Sequence, residues 1–452
     1  MDSTQRQMRQ GIFRMVWPAT MESVLQFTVG IVATAMVGRL GATSIGAVGL
    51  SQRLLQTVWA LSQAVTVGAT VLVAQAYGAG RQDAAEKAAR QSLLVALIGI
   101  LAFTAFVLAA PTRLLGLFHP DADVLGVAVG YLRLVAWGMP FTMLTLVIGS
   151  VMRGTGDTRT PLVIAILVNI VNVVGNYLLI FGHLGFPALG VRGSAAATLI
   201  AQGTGIVVAA YLLFTPGPRF GVRPFASWRP DLAEFRRILR IGVPAAAESL
   251  AWQFAAILLT ILIVSFGTVA LAAHTLGLQA EGLSYMPAAG FAIASTTLVG
   301  QSLGAGNSKL ARRYTAEIAR WAVYMTLVTA AVLVFFPAAV MGVLTNDRAV
   351  VALGARYLML MGLAQLPQQV GGVLNGVLRG SGDTRSPMLI AFAGLWLVRL
   401  PLAFLLGRHF GLGVTGVWVA MTFDLFVRYV LIHTTYAKRQ KGFASRAAEL
   451  VQ

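Results

Sequence analysis

Long apolar segments recur along the whole chain and are separated by short polar connections. Each has roughly 20 residues or more, enough to cross a hydrocarbon core of about 30 Å at about 1.5 Å per helical residue. The apolar runs are continuous rather than alternating, which excludes a transmembrane β-barrel. The pattern predicts an all-α polytopic membrane protein with twelve transmembrane helices. The predicted spans are 12–37, 50–76, 92–112, 124–151, 161–182, 191–214, 240–266, 272–301, 316–340, 349–377, 388–407 and 411–436.

Composition and charge placement agree with this pattern. The chain is 57% hydrophobic and 11% charged, whereas about a quarter of the residues in soluble domains are charged. The net charge of +18 does not indicate nucleic-acid binding, because about 24 of the 34 basic residues fall on one side if the amino terminus is cytoplasmic. We expect an inner-membrane protein with both termini in the cytoplasm, with lipid and small molecules as its partners.

The sequence repeats itself at half its length. The segment "RGTGDTRTP" begins at Arg153 and "RGSGDTRSP" begins 226 positions later, at Arg379. The same spacing relates "PATMES" to "PAAAES" and "VAQAYGAG" to "VGQSLGAG". Two copies of six helices therefore insert with the same orientation, as two lobes related by a pseudo-twofold axis along the membrane normal. We predict an amino-terminal lobe at 1–214, a basic cytoplasmic linker with an amphipathic helix at 215–239, and a carboxyl-terminal lobe at 240–452.

Local chemistry accounts for the repeated motif and for the end of the linker. Arg153 is predicted in the last turn of a helix, where a cation suits the helix dipole, and Asp157 or Thr158 is expected to cap the next helix. Asp231 and Glu234 form a capping box that begins an amphipathic segment. We expect that segment to lie along the inner membrane surface.

Two glutamates that are repeat mates fall within predicted spans, Glu22 and Glu248. A charge at mid-bilayer costs roughly 2.5–3.5 kcal/mol on insertion scales, and burial disfavours the charged form of a carboxyl group. Such a group can therefore exchange protons near neutral pH. Two interpretations stay open: Glu248 is the principal proton carrier with Glu22 assisting it, or both carboxylates pair permanently with arginines or cap a proline-induced break in the helix.

Other charged residues within the spans have candidate partners. Arg399 is a candidate charge partner for Glu248. Asp424 and Arg428 are four residues apart on one helix and are expected to neutralise each other, with Asp424 as a reserve coupling acid. Glu281 is expected to face water near the outer end of its helix.

Polar and aromatic residues supply further candidates. Asn169, Asn172 and Asn176 share one helix face, where amides either bond between helices or ligate a cation through their carbonyl oxygens, and we name Asn172 and Asn176 as possible coupling residues. Aromatic and methionine side chains accept varied apolar shapes, and glutamines extend polar networks. The candidate residues that line a substrate cavity are Gln26, Met139, Trp252, Gln253, Tyr285 and Met286. Gln26 and Gln253 are also expected to extend polar networks around Glu22 and Glu248, whereas single aromatic and methionine residues of this kind more often serve helix packing.

The sequence carries no pattern typical of an enzyme. It has no cysteine, and its five histidines are not in metal-binding spacings. A Walker-type phosphate-binding loop is also absent from the sequence. We expect no catalytic activity, metal or cofactor, apart from a transported proton or sodium ion.

Several motifs together resemble one family. The doubled "RG-x-GDTR-x-P", "AMVGRLGA" at 35–42, "NVVGNYLLIFG" at 172–182 and "VRLPLA" at 398–403 resemble the multidrug and toxic compound extrusion (MATE) family over essentially the whole chain. The resemblance implies a secondary transporter that exports organic, often cationic and lipophilic, compounds in exchange for sodium ions or protons. It also implies that two lobes rock around a central cavity, which one monomer can supply.

Two positions depart from the family pattern. The first helix of many members reads Val-Asp-Thr where this chain has Ala33, and a position in the fifth helix that is often aspartate is Asn176 here. Either coupling resides elsewhere in this subgroup, or residue 33 has been altered. We hypothesise proton coupling through Glu248, with sodium as the competing ion. The alternative functions are a lipid-linked precursor flippase, an integral-membrane transferase and a non-transporting membrane sensor.

Overall fold

The computed structural model describes residues 3–215, 220–223 and 228–451. Part of the predicted linker, including Arg219, lies outside the described residues. Within the described ranges every regular element is a helix. The α-helices are α1 (Ser3–Gly38), α2 (Ala42–Gly78), α3 (Gln82–Ala109), α4 (Pro111–Gly116), α5 (Ala122–Gly154), α6 (Arg159–Phe181), α7 (Val191–Phe214), α8 (Leu232–Val264), α9 (Thr268–Gly304), α10 (Ser308–Phe335), α11 (Pro337–Leu344), α12 (Arg348–Gly380), α13 (Arg385–Phe392), α14 (Leu400–Phe404), α15 (Gly413–Lys441) and α16 (Phe443–Val451).

The number of long helices confirms the prediction of twelve spans. Eleven segments of the described chain are long and apolar enough to cross a membrane, and α9 is the twelfth long helix. Helix bounds recur at the spacing of the sequence repeat: α9 begins and ends 226 positions after α2, and α12 begins and ends 226 positions after α5. Two copies of one six-helix fold therefore make up the chain.

The repeated motif folds into the same capped turn in both copies. Asp157 Oδ1 accepts hydrogen bonds from the backbone N–H groups of Arg159 and Thr160, both at 3.0 Å. In the second copy Asp383 Oδ1 accepts one from Ser386 N–H at 3.0 Å. These bonds satisfy backbone donors that have no partner in the first turn of a helix. The predicted cap by Asp157 is confirmed.

Helix α8 starts earlier than predicted. The Asp231 carboxylate caps it by accepting from Ala233 N at 2.9 Å and Glu234 N at 3.3 Å. A hydrogen bond from Lys87 holds the pKa of this carboxyl below its usual value. From this cap α8 runs through Pro244 to its end as one helix. The predicted amphipathic segment is helical, but it forms the first turns of the seventh long helix, and the predicted boundary at 239/240 falls inside that helix.

The chain divides into two compact units. Unit 1 comprises Met1–Thr20, Gly78–Gly80 and Pro244–Gln452, and unit 2 comprises Met21–Tyr77 and Arg81–Val243. This division differs from the predicted lobes, because the start of α1 packs with the second copy. An ion pair of 2.6 Å between Arg9 and the buried Glu317 of α10 contributes to that attachment.

The eleventh spanning segment is not a regular α-helix. Wide π-helical turns at Ala393–Arg399 and Leu405–His409 flank α14, and Pro401 there provides no N–H group for a helical hydrogen bond. Turns of this kind often occur at functional sites. A Cβ atom on Gly394 would lie 2.3 Å from Asp424 Oδ1, so the absent side chain lets α15 approach closely.

Candidate functional site

Each copy contains one ion pair between a glutamate within a spanning helix and the arginine of the repeated motif. In unit 2, Arg153 Nη1 of α5 lies 3.1 Å from Oε1 and 3.2 Å from Oε2 of Glu22 on α1. In unit 1, Arg379 Nη2 of α12 lies 2.7 Å from Glu248 Oε2 on α8. The partners are 131 positions apart in both pairs. The fold has thus duplicated a complete charge pair.

Both pairs are largely shielded from water. The side chains of Arg153 and Glu22 are 14% and 12% exposed, and those of Arg379 and Glu248 are 28% and 17% exposed. Gln26 Nε2 also donates to Glu22 Oε1 at 3.4 Å, which confirms the predicted polar contact of that glutamine. Both glutamates are paired with arginines in this structure, and their role as proton carriers stays a prediction.

A second duplicated bond fixes the helices that carry the arginines. Thr70 Oγ1 of α2 donates to the Ser150 carbonyl of α5 at 3.1 Å. Its repeat mate, Thr296 Oγ1 of α9, donates to the Gly376 carbonyl of α12 at 3.1 Å. Both acceptors lie one turn before the paired arginine. The same helix-helix contact therefore positions the guanidinium group in each copy.

Glu281 on α9 is buried rather than exposed to water. The residue is only 8% exposed. Tyr357 Oη of α12 donates a short hydrogen bond to Glu281 Oε2. Gln365 Nε2 donates to its Oε1 at 3.4 Å. Gln369 Nε2 extends this chain to Gln365 Oε1 at 3.4 Å. The expectation that Glu281 faces water was wrong, because the neighbouring helix covers it with polar side chains.

Asp424 is the counterion of two arginines. Its Oδ2 atom lies 2.8 Å from Arg399 Nη2 and 2.8 Å from Arg428 Nη2. Asp424 is 0% exposed. The predicted pairing of Asp424 with Arg428 is confirmed. The suggestion that Arg399 pairs with Glu248 was wrong, since the π-helical turn ending at Arg399 directs its guanidinium group to Asp424.

An aromatic cluster holds Tyr357 in place. Its ring lies edge-on to His274 at 5.6 Å and to Trp418 at 5.3 Å between ring centroids. Trp418 Nε1 donates to His274 Nδ1 at 3.3 Å. Tyr357 is 0% exposed, so its hydroxyl group has a fixed direction towards Glu281.

The asparagines of α6 form a short amide chain. Asn176 Nδ2 donates to Asn172 Oδ1 at 2.9 Å, and Asn172 Nδ2 donates to Thr198 Oγ1 of α7 at 3.2 Å. This arrangement confirms the predicted bonding between helices. Their role in coupling stays a prediction.

The candidate cavity residues have varied surroundings. Met139 is 3% exposed within the apolar core of unit 2, as helix packing predicts, and its role as cavity lining stays a prediction. Trp252 and Tyr285 are 49% and 44% exposed, while Gln253 and Met286 are partly buried. A different cavity of about 400 Å³ in unit 2 is lined by Ile31, Val32, Ala35, Met36, Arg39, Tyr177, Phe181 and His183.

A metal centre has no candidate in the part of the chain that the structure describes. No group of three or more His, Asp or Glu side chains comes together there in an arrangement that could hold a metal ion.

Comparison with known proteins places both copies in one family. The MatE family model matches residues 18–178 and 244–405, one match in each copy. The chain is 32% identical to the probable multidrug resistance protein NorM of Thermotoga maritima, over 94% of this chain and 91% of that protein. It is 26% identical to the uncharacterized transporter YisQ of Bacillus subtilis, over 96% of both chains.

Solved structures share the fold. An outward-facing multidrug resistance MATE family transporter of the MOP superfamily superposes with a TM-score of 0.91 at 21% identity, over 97% of both chains. A MOP superfamily transporter from Pyrococcus furiosus superposes with a TM-score of 0.90 at 21% identity, over 96% of both chains. Two lobes of six helices, the doubled motif and the doubled family match agree, and this chain belongs to the MatE family of multidrug efflux transporters.

Proposed function

We propose that the protein is a secondary antiporter that exports organic, cationic or lipophilic compounds across the inner membrane in exchange for protons. The observation that supports this most strongly is the duplicated glutamate–arginine pair within spanning helices of a multidrug efflux family member. We propose alternating access as the mechanism, with one chain as the working unit and both termini in the cytoplasm. The asymmetric placement of basic residues supports that orientation.

Proton binding acts directly on the ion pair in unit 1. A proton on Glu248 removes the negative charge that faces Arg379, so the attraction between α8 and α12 weakens. Loss of the proton restores the pair. Protonation thereby changes the relative stability of two arrangements of these helices, which is the requirement for coupling binding to a conformational change. Glu22 and Arg153 link α1 to α5 in the same way in unit 2.

The surroundings of these carboxylates favour protons over sodium. A cation is held by several converging oxygen ligands, whereas guanidinium N–H groups already occupy Oε2 of Glu248 and both carboxylate oxygens of Glu22. Sodium would have to displace Arg153 from Glu22, and at Glu248 it would compete with the adjacent charge of Arg379. A proton needs only one carboxylate oxygen.

Efflux from reconstituted vesicles tests this proposal. Vesicles loaded with a panel of fluorescent organic cations receive a proton gradient in one experiment and a sodium gradient in another. We expect the proton gradient alone to accelerate efflux. Glu248→Gln should lose most of this acceleration, because an amide cannot exchange a proton or carry the negative charge that faces Arg379.

Glu317→Gln is the matched control. Glu317 is also buried and ion-paired, at 2.6 Å from both Arg9 and Arg320, but it is not part of a repeated pair. This variant should keep the response to the proton gradient. Efflux driven by sodium alone, or unchanged efflux by Glu248→Gln, would contradict the proposal.

A further inference from the structure

The two copies differ sharply at the polar core around Glu281. Tyr357 has a tyrosine as its repeat mate, Tyr131. Apart from Gln368, whose mate Thr142 is polar, the other polar and charged residues of this core have apolar mates. The mates lie 226 positions earlier, or 223 positions earlier beyond a three-residue deletion in the second copy, where "LGVTG" at Leu412 matches "LGVRG" at Leu189. The mates are Leu55 for Glu281, Met139 for Gln365, Met143 for Gln369, Val173 for Arg399, Ala201 for Asp424 and Gly205 for Arg428.

The shared fold does not require this polar core. Met139 and Met143 are buried in the apolar core of unit 2, and Leu55 packs against it. The amino-terminal copy therefore reaches the same helix arrangement with apolar side chains at these positions. Burying charged and polar groups costs free energy unless they are fully paired. We infer that the carboxyl-terminal copy keeps these groups for a purpose other than folding.

We propose that Glu281 is a second proton-binding carboxyl group of the transport cycle, located in the carboxyl-terminal half. This inference rests on the proton antiport proposed above. It adds a buried site that is separate from the Glu248–Arg379 pair. It also places that site in one copy only, because the amino-terminal copy has Leu55 at the position that corresponds to Glu281.

Hydrogen bonds around Glu281 suit both protonation states. In the ionised state the Tyr357 hydroxyl and the Gln365 amide donate to its two oxygens, and Gln368 is a further hydrogen-bond partner. In the protonated state the new O–H group can donate to the hydroxyl oxygen of Tyr357 or to a glutamine carbonyl oxygen. The hydroxyl and amide groups around this carboxyl group can thus either donate or accept a hydrogen bond. The site therefore fits a proton.

Neighbouring charged residues connect Glu281 to other buried groups of the carboxyl-terminal copy. Arg399 interacts electrostatically with Glu281 and forms an ion pair with Asp424. The titratable and charged groups that face this region from α9, α12, the π-helical turn and α15 are His274, Tyr285, Tyr357, Arg399, Asp424 and Arg428. Tyr285 also interacts electrostatically with the Glu248–Arg379 pair, whose two charges balance each other.

The charge balance gives this site a means of coupling. With Glu281 ionised, its charge and that of Asp424 balance those of Arg399 and Arg428. Protonation of Glu281 leaves one excess positive charge in a buried region, where electrostatic interactions are strong. A proton and a cationic substrate therefore oppose each other, as antiport requires.

Infrared difference spectroscopy tests the inference without any substrate. The full-length protein in lipid is titrated between about pH 5 and about pH 8, and the carbonyl band of protonated carboxyl groups is recorded. We expect a band that grows at low pH in the wild type and in Glu248→Gln, with a component missing from Glu281→Gln. An unchanged band in Glu281→Gln would overturn the inference.

Two further variants separate a proton site from a packing role. Tyr357→Phe removes one donor from the carboxylate and should shift the titration of the same band to higher pH. Thr275→Val alters an exposed residue on the same helix and should change nothing. A titration unmoved by Tyr357→Phe would contradict the proposed hydrogen-bond arrangement.

A transport measurement then links the site to coupling. Glu281→Gln should exchange labelled tetraphenylphosphonium across the vesicle membrane without a gradient. The factor by which a proton gradient accelerates its transport should be at least about tenfold smaller than in the wild type, a difference equivalent to a shift of one pKa unit. Full acceleration by the proton gradient in Glu281→Gln would overturn the inference while leaving proton antiport intact. Absence of proton-driven transport in the wild type would instead contradict the proposed function.

Discussion

Replacing Asp424 with asparagine is expected to lower the free energy of unfolding by about 3–5 kcal/mol, the cost typical of breaking a fully buried ion pair by removing one partner. Asparagine has nearly the same shape, so the packing of α15 should survive. The loss arises because Arg399 and Arg428 both depend on Asp424 Oδ2 at 2.8 Å. Without it, both guanidinium groups lose the carboxylate that they contact in a buried region.

Unfolding in mixed micelles of increasing denaturing-detergent content measures this loss. The variant Asp424→Asn/Arg428→Met provides the control, because it removes one positive charge together with the negative one. It should recover a large part of the stability. If Asp424→Asn is as stable as the wild type, the packing of Arg399 and Arg428 does not depend on this carboxylate. Asp424 would then again be a candidate coupling acid.

Variants of the Glu248–Arg379 ion pair should distinguish an effect on folding from an effect on transport. Arg379→Met leaves the carboxylate of Glu248 without its counterion and should destabilise the fold, though by less than the loss at Asp424 because this pair is partly exposed. Adding Glu248→Met removes the second charge. Replacing both members of a buried pair with apolar residues is often neutral for stability, so the double variant should refold well yet show no proton-driven efflux.

Comparison of four proteins makes this prediction quantitative. The wild type, Arg379→Met, Glu248→Met and the double variant form a double-mutant cycle, which isolates the interaction between the two side chains. The cycle at Glu22 and Arg153 provides the matched repeat pair. Proton-driven efflux by a stable double variant would show that the pair serves only to hold α8 against α12.

Much of this fold could be predicted because it depends on local and periodic signals. Helices long enough to cross a bilayer follow from continuous apolar runs, and the second copy follows from the repeated motif. The caps at Asp157 and Asp231 depend on side chains within three residues of the donors they satisfy, as does the (i, i+4) pairing of Asp424 with Arg428. Each of these interactions is fixed by the geometry of a single helix or turn.

The partners of the buried carboxylates could not be predicted in this way. Arg379 lies 131 positions from Glu248, and helix geometry alone does not show which distant side chain will meet it. One signal was available, since glutamate and arginine both recur at the same repeat spacing. The position of Glu281 along its own helix indicates exposure to water, whereas Tyr357 and Gln365 on α12 decide its burial.

Substrate-driven proton movement tests proton antiport most directly. Vesicles containing the wild-type protein and a pH-sensitive dye are loaded with tetraphenylphosphonium and diluted into medium free of it, with no proton or sodium gradient imposed. We expect the lumen to become acidic as the organic cation leaves, with the same rate whether or not sodium is present. Efflux of the cation without acidification, or acidification that depends on sodium, would contradict proton antiport.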